Sequence, residues 1–212
     1  LQEAKIQLSY RDDYDAAYAK KDWDTCIRKL DCLLEKCSHY RELIVKKIEI
    51  LCYLGKVQEA IDMVKKYQPE YSSFSDFKWA SGLAYVYKGQ TDFGLNIWKE
   101  GNQADQDYVR FRESVKKWKT CNQLKEEGTE LFKQNKFDQA LQKYRQAAEV
   151  DEYNRTFNAA VYMNIGTCLM KQSKHKEAIR EFNKCIEFNP SYGKAYMKRG
   201  NCQEILEKYS FA

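Results

Sequence analysis

The chain has 212 residues, 32% of them charged, with only 2 prolines and 9 glycines, a composition that fits a nearly all-helical protein. It contains no run of about 18 apolar residues, which excludes a membrane-spanning helix, and its start, LQEAKIQLSYRDD, is amphipathic and charged and has no secretory signal. The formal net charge of +5 is modest for this size, and basic residues alternate with acids, as in KHKEAIREFNK; this is a solvated helix face rather than a nucleic-acid groove, which would need clustered bases and stacking aromatics.

Small residues recur along the chain at Cys26, Ala60, Gly94, Ala140, Ala178 and Ala212. The gaps are 34, 34, 46, 38 and 34 residues, one period with two insertions. Four residues after each small position stands a large apolar one, Leu30, Val64, Trp98, Tyr144 or Phe182. Three before it stand Trp23, Val57, Thr91, Phe137, His175 and Tyr209. Twelve before it is Gly82, Gly128, Gly166 or Gly200, with Tyr14 and Ile48 in the first two units. Apolar spacings of three and four, as in Ala140, Leu141, Tyr144 and Ala147, predict a pair of amphipathic helices per period.

In chain order, the columns predict repeats at 7–40, 41–74 and 75–108, an insert at 109–120, then repeats at 121–154, 159–192 and 193–212, the last one truncated. Pro190, in NPSYGKAYMKRG, is expected between two repeats, where it forbids continuation of the preceding helix. Pro69, in YQPEYSS, is expected to mark the same kind of junction. The insert VRFRESVKKWKT keeps helical spacing through Val109, Phe111, Val115 and Trp118, which predicts an extended first helix from about Gln106 to Gln134, a stiff spacer between a block at 1–108 and a block at 121–212. The second insert, RTFN, lengthens either the loop or the helix after it. The chain begins close to a repeat without a cap, so it is expected to be cut from a longer protein.

The eight cysteines form no CxxC pair, and Cys26 and Cys185 fall on core columns. Cys32, Cys37 and His39 in CLLEKCSH match no common zinc spacing, so no metal or other cofactor is expected. Reduced thiols place the chain in the cytoplasm or nucleus, although the sequon Asn154-Arg155-Thr156 points the other way. Neither histidine neighbours a plausible nucleophile, and no phosphate loop, GxSxG elbow or HExxH occurs. Enzyme activity is not expected.

Binding is therefore expected on the groove-facing positions of the first helices. In the C-terminal block these are Lys125 and Thr129 from LKEEGT, Asn164 from VYMNIG, and Lys194 and Lys198 from GKAYMK. Four-residue spacing puts each pair on one helix face, and stacking of the repeats would bring three lysines around an amide, a set suited to a carboxylate. Phe132, Met163, Met170 and Met197 are expected to form an apolar pocket beside it, or else core. The corresponding N-terminal positions, Arg11, Asp15, Lys46, Asp76 and Ala80, mix signs and cannot cradle a carboxylate.

The period and columns resemble the tetratricopeptide repeat, which implies an all-α solenoid of helical hairpins in a right-handed superhelix. The C-terminal block resembles the carboxylate-clamp members, which bind the acidic C-terminal tails of the seventy- and ninety-kilodalton heat-shock chaperones. Lys125, Asn164 and Lys194 match the clamp pattern. Thr129 stands where Asn is expected and Lys198 where Arg is expected. The order of features, with AYAKKDWDTC, LCYLGKVQEAI and DYVRFRESVKKWKTCNQLKEEG, resembles the DnaJ (heat-shock protein 40) class C co-chaperones. That resemblance implies chaperone and unfolded-client partners, no nucleic-acid or membrane partner, and a J domain beyond Ala212, since no His-Pro-Asp triplet is present. A scaffold that binds an internal segment of a partner remains the alternative.

Overall fold

The computed structural model describes residues 2–210, and side chains from residue 11 to residue 208. Ala212, the last of the small column, and the side chain of Tyr209 lie outside the described residues. The helices run α1 (Gln2–Ala19), α2 (Trp23–Lys36), α3 (Arg41–Tyr53), α4 (Val57–Tyr71), α5 (Ser75–Lys88), α6 (Thr91–Ala104), α7 (Arg110–Lys133), α8 (Phe137–Val150), α9 (Arg155–Lys171), α10 (His175–Phe188) and α11 (Gly193–Ser210). The described residues contain no strand. The chain forms two compact units, Leu1–Glu113 and Ser114–Ala212, divided within α7.

Each hairpin is built by one steric device. The small column is fully buried at Cys26, Ala60, Ala140 and Ala178. The glycine column receives the large residue of the partner helix: a Cβ on Gly128 would lie 2.8 Å from the Tyr144 ring, and one on Gly166 would lie 2.5 Å from the Phe182 ring. Gly82 faces the Trp98 indole in the same way, and that indole donates to the Trp79 carbonyl at 2.9 Å. Where Tyr14 and Ile48 replace the glycine, the large position holds the smaller Leu30 or Val64 instead of a ring, so total core volume is held roughly constant.

The turn inside each hairpin repeats as faithfully as the core. Lys21, Gly55, Gly89, Asn135 and Ser173 all have left-handed φ, between 56° and 89°. The residue after each closes a bond back to the carbonyl five residues earlier, as in Lys136 to Leu131 and Lys174 to Leu169, the Schellman ending of a helix.

Two boundaries differ from the sequence expectation. Pro69 does not mark a junction. It sits in the last turn of α4, which continues to Tyr71 because that ring is buried and its hydroxyl donates to the His39 carbonyl at 2.6 Å. The extended helix begins at Arg110 rather than Gln106, because the Asp105 carboxylate accepts from the backbone N–H groups of Asp107 and Tyr108, each at 3.2 Å, and so competes with helix formation there. Phe111, one residue into α7, is fully buried against Gly101. The RTFN insert lengthens the helix: Asn154 caps α9 by accepting from the Phe157 N–H at 3.1 Å. Pro190 lies between α10 and α11, as its chemistry requires.

Candidate functional site

The second unit places three first helices as neighbours. α7 packs on α8 through Gly128 and Tyr144 and through the Lys143–Glu127 ion pair at 2.7 Å. It meets α9 where the Trp118 and Phe157 rings sit edge to face, 5.3 Å apart. On its other side α9 touches α11, which also packs on α10.

On this scaffold the Lys125 ammonium rests 5.3 Å above the Phe157 ring, a cation–π contact that orients the side chain without neutralising it. Lys194 is exposed, and Lys125, Asn164 and Lys198 are half-buried. Among the described residues none of the three lysines has a carboxylate within ion-pair distance, and the Asn164 amide makes no hydrogen bond. The four groups therefore keep their hydrogen-bonding capacity for something else. Thr129 differs. Its hydroxyl donates to the Lys125 carbonyl at 2.9 Å and lies 3.1 Å from the Tyr144 hydroxyl. With its single proton committed to the carbonyl, it accepts from Tyr144 and is bound into the α7–α8 packing. Arg199 is turned to Asn183 of α10, at 2.9 Å.

The apolar set divides. Phe132 is half-buried against the Phe137 ring, 5.5 Å away, and Met170 is half-buried against the core. Met197 is 61% exposed. Met163 is a correction: at 6% exposure it belongs to the core and offers no surface to a ligand. Adjacent helix positions lie about 100° apart, so with Asn164 outward Met163 turns inward. Cys26, Cys121 and Cys185 are buried, which pushes each thiol up to about 11, and among the described residues no cluster of His, Cys, Asp and Glu could hold a metal. The residue missed in the sequence is Phe157, which supports Lys125 from inside the RTFN insert.

The family model of the tetratricopeptide repeat matches residues 159–192, the hairpin of α9 and α10. The solved tetratricopeptide domain of P58(IPK) superposes on 99% of this chain and 58% of its own length, with a TM-score of 0.59 at 24% identity. The chain has the tetratricopeptide-repeat fold. In sequence, this tetratricopeptide-repeat chain is similar to the DnaJ homolog subfamily C member 7 homolog of Dictyostelium discoideum, at 25% identity over 88% of the chain and 34% of the relative. It is similar to human DnaJ homolog subfamily C member 7 at 24% identity, over 99% of the chain and 42% of the relative. The Hsp70-Hsp90 organizing protein of Triticum aestivum matches at 25% identity, over 97% and 39%. The chain thus spans about two fifths or less of the length of these relatives.

Proposed function

We propose that the second unit is a carboxylate clamp and that the chain serves as the adaptor part of a co-chaperone, holding the acidic C-terminal tail of a heat-shock chaperone of the seventy- or ninety-kilodalton class. The observation that carries this reading is the set of Lys125, Asn164, Lys194 and Lys198 on successive first helices, which make no side-chain hydrogen bond or ion pair among the described residues. A peptide terminus with an acidic last residue presents two carboxylates close together. Each charge-assisted hydrogen bond to them contributes roughly 1.5–3 kcal/mol. Thr129 acts indirectly, fixing the α7 backbone at Lys125, and Lys198 supplies a point charge where a guanidinium would supply a planar fork. Similarity to DnaJ subfamily C members and to an Hsp70-Hsp90 organizing protein supports the choice of partner.

Calorimetric titration with a peptide ending in Glu-Glu-Val-Asp tests the proposal. Micromolar binding, about −8 kcal/mol, that disappears on amidation of the C-terminus is the expected result. Equal binding of acid and amide would instead favour a scaffold that reads an internal segment.

A further inference from the structure

The first unit contains a cavity of about 340 Å³ among α1, α3, α5 and the first turn of α7. Its charge is opposite to that of the clamp. Asp15, Glu42, Glu49 and Asp76 line it against two bases, Lys46 and Arg110. Among the described residues Asp15 and Glu42 have no basic partner, while Asp76 is paired with Arg41 at 3.0 Å. Tyr14, Tyr18 and Tyr108 supply aromatic wall.

Glu49 is the decisive residue. It is 4% exposed and lines the cavity, yet its bonds all fall on one oxygen. Oε1 accepts from Arg110 Nη2 at 2.6 Å and from the Tyr53 hydroxyl at 2.8 Å. Oε2 accepts no hydrogen bond among the described residues. The Arg110 guanidinium is itself held 3.3 Å from the Trp79 ring centroid, so the carboxylate is fixed in place before any ligand arrives. The wall already takes cations: the Lys46 ammonium sits 4.9 Å over the Tyr14 ring.

We propose that this cavity receives a cationic side chain, an arginine, from an extended basic segment of a partner polypeptide. A guanidinium is weakly hydrated, stacks on aromatic faces and donates in a fork that carboxylate oxygens match. The excess of carboxylates over bases makes the cavity attractive to that charge, and the mixture of signs that cannot cradle a carboxylate can cradle a cation. The proposal is independent of the clamp, which lies in the other unit.

The test is calorimetric titration of the whole chain with an end-blocked peptide of three arginines spaced by glycine and serine, and with its citrulline counterpart, which keeps the shape and loses the charge. Blocked ends leave the clamp nothing to hold. The arginine peptide should bind, and the citrulline peptide should bind at least about tenfold more weakly. Joint Asp15→Asn and Glu42→Gln should cost about tenfold, while the same charge loss on the exposed side of α4, Glu59→Gln with Asp62→Asn, should leave affinity within about twofold. Lys194→Ala should have no effect. Failure of the arginine peptide to bind, equal binding of the citrulline peptide, or an equal loss in the α4 control would each overturn the proposal.

Discussion

At Gly166 a single hydrogen in place of a methyl decides how closely α9 and α10 approach. A Cβ there would lie 2.5 Å from the Phe182 ring, which is fully buried. Gly166→Ala gains helix propensity but overpacks the hairpin, so a net loss of roughly 1–3 kcal/mol is expected in urea unfolding. No loss would mean that the ring can move. This column was legible in the sequence because a glycine recurring at a fixed offset from an aromatic has a steric meaning. Met163 was less legible: it neighbours Asn164, and the periodicity of a helix buried on most of its circumference gives little contrast between groove and core. The Phe157 support for Lys125 was hidden because nothing in RTFN says whether the insert enters the loop or the helix. The Asn154 cap settles that in favour of the helix.

At the scale of the element, the hairpin turns explain why five loops share one geometry with unlike sequences. Two use glycine, at Gly55 and Gly89, but Lys21, Asn135 and Ser173 adopt the same left-handed conformation, which costs residues with a Cβ about 1–2 kcal/mol. Ser173→Gly is therefore expected to stabilise the second unit by about 0.5–1 kcal/mol, less than the full strain because glycine also gains freedom in the unfolded chain. A neutral or destabilising result in urea titration would show that Ser173 makes a compensating contact. The turns were poorly legible because burial of the flanking helices, and not local residue preference, imposes the conformation. Helix ends failed in the same way. Pro69 lies inside α4 because packing of Tyr71 outweighs the helix-ending tendency of proline, and α7 starts late because the Asp105 side chain captures two backbone donors.

Across the whole molecule, a solenoid repeats its backbone while its groove-facing residues are free to vary, so the chain carries one steric plan and two opposite chemistries. The first unit gathers carboxylates and tyrosines around Glu49, and in the second Lys125, Asn164, Lys194 and Lys198 make no side-chain hydrogen bond or ion pair among the described residues. The fold was legible because its period is set by the core. That register also placed the residues of the proposed clamp on the first helices, whereas the cavity around Glu49 joins residues from α3 and α7, 61 positions apart, which no single-repeat pattern brings together. The central claim is that Lys194 and its neighbours bind a free terminal carboxylate. Its most direct measurement is a thermodynamic cycle that combines Lys194→Ala with C-terminal amidation of the Glu-Glu-Val-Asp peptide. If the lysine and the carboxylate act on each other, each change alone weakens binding and the second change adds little, giving a coupling of about 1.5–3 kcal/mol. Additive losses, with coupling near zero, would contradict the account.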